Sequence, residues 1–130
     1  LQIEARILGD LCSTSILPAA VAYQNELVSN VLGLKDLLGE SKGKKASLMQ
    51  IDTIQRISDH VNIVHLKSQK MLDDRKKANK IDKSEEKARS YCDNVKKHFD
   101  EIRYHTDKLE LLISDEFWPL PKLRELLFTR

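Results

Sequence analysis

The sequence predicts an all-α protein, an elongated three-helix, up-down-up antiparallel bundle with a short C-terminal helical tail. Of the 130 residues, 32% are charged, only 5% are aromatic, and Gly and Pro occur four and three times. This composition favours long helices over sheet. Apolar residues recur at steps of three and four along three long stretches. Two short polar connectors separate these stretches, so consecutive helices are expected to be antiparallel neighbours.

The first predicted helix covers about residues 1–38. Pro18 lies inside this stretch, lacks a backbone donor and would clash with the carbonyl of Thr14, which predicts a kink or a local break. The apolar seam, meaning the stripe of side chains expected to face the core, consists of Leu1, Ala5, Leu8, Cys12, Ile16, Ala20, Tyr23, Leu27, Val31, Leu34 and Leu38.

The second predicted helix covers about residues 47–77 and follows a polar connector at residues 39–46. Gly39 is a plausible residue to end the first helix. Ser47 and Gln50 have the spacing of a capping box that would open the second helix. Its seam consists of Ile54, Ile57, Val61, Val64, Ser68 and Met71.

The third predicted helix covers about residues 83–117, with Asp82 and Glu85 in a capping pattern. It is expected to be longer than the second, so that Phe117 and Trp118 would reach the end of the bundle where the 39–46 connector lies. Its seam consists of Ile81, Glu85, Ala88, Cys92, Val95, Phe99, Ile102, Thr106, Leu109 and Ile113.

Composition and charge argue against several classes of protein. The net charge of +2 does not indicate a nucleic-acid binder. No run of about 18 apolar residues predicts a membrane span. The chain starts at Leu1, and its only methionines are Met49 and Met71, so we expect one domain, residues 1–130, that is a fragment of a larger protein.

The four histidines do not predict a metal site. His60 and His65 are five apart and therefore point in different directions, whereas His98 and His105 share a face but lie about 10 Å apart. We therefore predict that all four are surface or seam-edge residues. We find no phosphate-binding glycine loop, no catalytic triad and no carboxylate cluster, and we assign no catalytic, cofactor-binding or metal-binding residue.

The two cysteines and one basic stretch also favour ordinary structural roles. Cys12 and Cys92 both fall on seams, which predicts buried, reduced thiols about one helical turn apart in depth and too distant for a disulfide. Residues 67–89 carry an excess of four positive charges. Without aromatic side chains on which bases could stack, this stretch is interpreted as the solvated tip of a helical hairpin.

The last thirteen residues are too apolar for a solvated tail. Pro121 suits the first turn of a short helix. We predict that this segment, residues 118–130, docks on another surface through Trp118, Pro119, Leu120, Leu123, Leu126, Leu127 and Phe128.

Two segments resemble one enzyme family in particular. Residues 118–130 resemble the Trp-Pro-Leu-Pro segment that closes the type III glutamine synthetases, and residues 16–27 resemble the helix that leaves their catalytic domain. Around the third helix, residues 88–93 and 102–110 are similar to further family positions. Lys122-Leu123 and Lys97-His98 depart from the family pattern.

The resemblance implies a role as a helical C-terminal domain in a cytoplasmic glutamate–ammonia ligase. The family uses ATP with Mg or Mn and forms large ring oligomers. Its catalytic residues lie upstream of this chain, so none is carried over, and the isolated chain is expected to be inactive. The expected partners are the catalytic domain and neighbouring subunits, with no nucleic acid and no membrane. The alternative is a stand-alone helical-bundle interaction module.

Overall fold

The predicted all-α class is confirmed by a computed structural model, which describes residues 2–120. Within that range every regular element is helical, and no strand occurs. The elements are α1 (Gln2–Leu11), a first π-helical segment (Cys12–Ile16), α2 (Leu17–Leu38), α3 (Glu40–Ala46), α4 (Leu48–Asn79), α5 (Ser84–Ser90), a second π-helical segment (Tyr91–Val95) and α6 (Lys96–Leu112).

The N-terminal run, which comprises α1, the first π segment and α2, is continuous as predicted. Pro18 is the second residue of α2, and only Leu17 separates it from the π segment. The wider π turn hydrogen-bonds the Leu17 N–H to the carbonyl of Cys12. An extra residue in this turn accommodates the proline at the point where an α-helical hydrogen bond would be lost. The predicted local break is therefore a π bulge within an unbroken helix.

The connector at residues 39–46 is not the irregular loop that we expected. Gly39 ends α2 with a φ of 90°, a conformation that favours glycine, and its N–H donates to the Lys35 carbonyl. The chain then forms the short helix α3, which packs back on α2. This folding-back is possible because Gly43, which is buried, has no Cβ at the contact.

The predicted second helix is confirmed as α4, but both predicted capping boxes are wrong. The Ser47 hydroxyl donates backwards to the Gly43 carbonyl at 2.6 Å instead of accepting from the first turn of α4. Gln50 instead donates to Asn30. At the next turn Lys83, not Asp82, precedes α5, and it forms no side-chain cap. Neither helix start therefore has a side-chain cap.

The C-terminal run, which comprises α5, the second π segment and α6, ends at Leu112 and not near residue 117. Beyond it the chain turns, with the N–H groups of Phe117 and Trp118 both donating to the Ser114 carbonyl. The predicted seam is confirmed from Val95 to Ile113. Before Val95 it is wrong, because the π segment adds a residue to one turn and changes the buried positions.

α4 contacts both long runs and pairs antiparallel with each of them. Along the N-terminal run, Gln50 bonds Asn30 and Gln24 bonds Ser58, while Gly9 lies near Met71. Towards the C-terminal run, α4 and α6 share the most extensive helix contact in the described chain. The hydrophobic core, to which α4 and both runs contribute, consists of Cys12, Ile16, Ala20, Ile57, Val64, Met71, Ala78, Tyr91, Val95, Ile102, Leu109, Ile113 and Trp118. None of the helices in residues 2–120 is both long and apolar enough to cross a membrane.

Candidate functional site

The predicted docking segment begins inside the core. Trp118 is only 8% exposed, and Leu120 packs against the core cluster while Pro119 is exposed. The remaining predicted docking residues, Leu123, Leu126, Leu127 and Phe128, lie outside the described residues. The first part of the segment therefore already has a partner, which is the bundle itself.

The position of this segment differs from the prediction. The Phe117 ring packs on Tyr23 of α2, with centroids 5.4 Å apart. Tyr23 is 15 positions before the end of α2 at Leu38, a distance of roughly 22 Å along a helix. Phe117 thus lies beside the middle of the N-terminal run and not at the 39–46 connector. The prediction failed because the C-terminal run ends five residues before Phe117.

A row of polar contacts crosses the interface between α4 and the C-terminal run. The Nε2 of His98 lies 2.8 Å from the Asp74 carboxylate, within hydrogen-bond distance. Lys67 forms a salt bridge with Glu101 at 3.0 Å. At one end of the row, the Tyr91 hydroxyl bonds Asn79. At the other end, His60 meets His105. We call this row the polar face; it lies alongside the apolar core and links the same two elements.

The contact between His60 and His105 was not anticipated from the sequence. Their Nδ1 atoms lie 2.9 Å apart, and the ring centroids are 5.1 Å apart. At this distance one nitrogen donates and the other accepts, so the pair requires one neutral acceptor. Helical spacing within α4 or within α6 could not reveal this pair, because each histidine comes from a different helix. The pairing register between the helices was needed.

The pKa of His60 is lowered from its ordinary value near 6.5, mainly because burial penalises the charged ring. The positive charges of His105, Lys108 and Arg56 lower it further, while Asp59 acts in the opposite direction. The neutral form that the pair requires is therefore favoured at neutral pH.

His98 and Glu101 both lie at the interface between α4 and α6. His98 is only 7% exposed, which agrees with its interpretation as a seam-edge residue. Glu101 pairs with Lys67, and this hydrogen bond is the main reason that the pKa of Glu101 is lowered. His65, by contrast, is exposed as expected.

The two cysteines have different surroundings, which contradicts the prediction that both are buried. Cys12 is completely buried, and burial raises its thiol pKa, opposed by the neighbouring hydroxyl groups of Ser68 and Thr106. Cys92 is a free, exposed thiol. Because Cys12 lies level with Thr106, which is 14 positions after Cys92, the two cysteines are about four turns apart and not one.

The described residues do not assemble a group of metal ligands. Within residues 2–120 no group of three or more His, Cys, Asp or Glu side chains is placed to hold a metal ion. What the geometry offers is a helical scaffold with a polar interface and exposed apolar strips.

Comparisons with known proteins relate this chain to glutamine synthetases. The sequence profile of the "Glutamine synthetase C-terminal domain" matches residues 1–35. The chain is 42% identical over 129 residues to a glutamine synthetase from Bacteroides fragilis, covering 99% of this chain. It is 29% identical over 130 residues to a type-3 glutamine synthetase from Dictyostelium discoideum, covering all of it.

The similarity to glutamine synthetases thus extends over the whole chain. This confirms the resemblance that the terminal segments predicted. The chain spans 18% of the length of each of these two glutamine synthetases. The matched profile ends within α2. The similarity of the sequence after residue 35 is therefore shown by the two relatives alone.

Proposed function

We propose that this chain is the C-terminal accessory domain of a type III glutamine synthetase, an enzyme that ligates ammonia to glutamate with ATP. The observation that carries the proposal is the whole-chain similarity to two glutamine synthetases of which it covers 18%. In this proposal residues 1–130 form one domain, an elongated up-down-up bundle. The catalytic residues, ATP and Mg or Mn belong to other parts of a cytoplasmic, oligomeric parent enzyme.

The proposed role is packing, because apolar side chains lie exposed along one side of α2. Pro18, Val21, Val28 and Leu32 recur at steps of three, seven and four, which places them on one side of α2. Leu32 is 60% exposed. We call these four residues the α2 strip. Apolar side chains aligned in this way are typical of a surface that another protein surface covers.

The rest of the parent chain is the proposed occupant of the α2 strip. The chain accounts for 18% of its relatives, so most of the parent polypeptide is available to cover it. The strip also lies within residues 1–35, the part that the family profile matches. The predicted docking residues at 118–128 would add a second contact, to the catalytic domain or to a neighbouring subunit.

The test uses the parent enzyme and the 130-residue chain in parallel. Val28→Lys with Leu32→Lys should lower the melting temperature of the enzyme or dissociate its oligomer, as measured by sedimentation. The isolated chain should melt as before, because both side chains are already exposed. Leu111→Lys, a 79% exposed position on α6, is the matched control. An enzyme unchanged in both melting and assembly would rule out the α2 strip as a packing surface.

The C-terminal segment is tested separately by deleting residues 118–130. The deletion should lower the melting temperature of the isolated chain, because it removes the buried Trp118. In the parent enzyme it should also change the oligomeric state. If neither stability nor assembly changes, residues 118–130 are not a docking element.

A further inference from the structure

A shallow cleft opens at the end of the polar face, next to the His60–His105 pair. It has a volume of about 240 Å³ and is lined by Arg56, His60, Lys108, Leu111 and Leu112. Two helices therefore contribute to it, α4 with the first two residues and α6 with the others. The cleft is smaller than the pockets that hold drug-sized ligands. It suits a compact group of a few heavy atoms.

Two of the residues that line the cleft, Arg56 and Lys108, carry positive charge. Both side chains are cations at neutral pH. Two carboxylates oppose them. Asp59 influences His60 electrostatically, and Asp52 holds the Nε of Arg56 at 2.9 Å. Neither carboxylate lines the cleft, so a ligand in the cleft meets the cations first.

This arrangement disfavours a metal ion and favours an anion. A structural or catalytic zinc site uses three or four protein ligands, whereas the described residues bring only two histidines together here. Nearby Arg and Lys charges would repel a divalent cation. The same charges attract an oxyanion, for which the planar guanidinium and the ammonium group are the usual protein partners.

We propose that the cleft binds a small tetrahedral dianion, a phosphoryl group that is either free phosphate or carried on a small ester. Arg56 and Lys108 would neutralise the charge of the dianion. The bound dianion would stabilise the protonated form of His60, which would then donate a hydrogen bond to it. Leu111 and Leu112 provide an apolar wall for the carbon part of an ester. This site is independent of the packing role proposed above.

The first experiment adds sulfate stepwise to the wild-type chain and follows the resonances of the four imidazole rings. Circular dichroism first verifies the helical content of the chain. Sulfate is the first probe, because it stays dianionic across the pH range in which histidine titrates. We expect saturable shifts of the His60 and His105 resonances in nuclear magnetic resonance spectra. His65 and His98 serve as internal controls. Chloride at equal ionic strength should not reproduce the shifts, and an absence of saturable shifts would overturn the proposal.

Matched variants assign the binding to the cleft. Lys108→Gln should weaken sulfate binding about tenfold, since hydrogen bonds to charged groups typically contribute at least that much, whereas Lys70→Gln on the exposed side of α4 should not. Asp52→Asn should strengthen binding, because it removes the carboxylate that competes for Arg56. Equal weakening by both lysine variants would indicate only nonspecific screening and would refute the site.

The pH dependence and the ligand source provide two further readouts. Sulfate affinity should rise as pH falls below 7, because binding is coupled to protonation of His60; a flat profile would remove His60 from the site. Phosphate and glycerol 3-phosphate are then compared at constant pH. Tighter binding of the ester assigns the wall formed by Leu111 and Leu112 to its carbon chain, and equal binding identifies the free ion as the ligand.

Discussion

Gly43 of α3 lies so close to Lys35 of α2 that a Cβ built on Gly43 would stand 2.3 Å from the Lys35 Cα. Backbone atoms cannot yield as a flexible side chain can, so α3 would have to move away from α2. The Ser47 hydroxyl, which donates to the Gly43 carbonyl, would move with it. This contact explains how a glycine-containing polar connector folds into a packed helix.

Gly43→Ala is therefore expected to destabilise the chain by about 1–3 kcal/mol, the usual cost of overpacking. Gly33→Ala on the exposed side of α2 is the control, because nothing lies within 4 Å of its added Cβ. The control should stabilise the chain by about 0.5–1 kcal/mol through helix propensity. Urea unfolding measures both. A stabilising effect at Gly43 would contradict the close packing of α3 on α2.

His60→Gln should reduce the dependence of stability on pH between about 7 and 5. The folded-state pKa of His60 is lowered, so the unfolded chain takes up its proton first as the pH falls through 6.5. Stability due to the neutral ring is thus present above that pH and lost below it. Melting temperatures across this range measure the effect. The exposed His65→Gln should leave the pH profile unchanged, and an identical response in both variants would contradict the assignment.

The two thiols should react at very different rates in the folded chain. Cys92 is exposed, whereas Cys12 is fully buried and its thiol pKa is raised. Native protein should therefore release one equivalent of chromophore rapidly with a disulfide reagent, and denatured protein two. The Cys92→Ser variant should show no rapid phase. A second rapid equivalent from native protein would show that Cys12 is accessible.

Trp118→Ala is expected to cost about 3–5 kcal/mol, as for other large aromatic side chains removed from a core. The side chain is 8% exposed and belongs to the core cluster. Leu111→Ala, at a position 79% exposed, should change stability by less than about 0.5 kcal/mol. Urea unfolding followed by circular dichroism compares the two without relying on tryptophan fluorescence. Equal effects would mean that Trp118 is not a core residue.

Local pattern was sufficient to predict the helices and most of their buried faces. The seam of the N-terminal run was correct at Cys12, Ile16 and Ala20, all fully or almost fully buried. The seam remained correct across the first π segment because the predicted step there, from Cys12 to Ile16, is four residues. These are the two residues that this segment buries. In the C-terminal run the prediction failed at Cys92 and succeeded at Val95, since the second π segment shifts the phase between them.

The sequence by itself determined the all-α class, the long helical stretches, the glycine turn at Gly39 and the resemblance to glutamine synthetases. Each of these depends on residues that are near one another in the chain or on a motif. Tertiary structure decided the folding-back of α3 on Lys35, the register that brings Cys12 to Thr106, and the meeting of His60 with His105. These contacts join separate helices, so they depend on how the helices align, which helical periodicity within each segment does not specify.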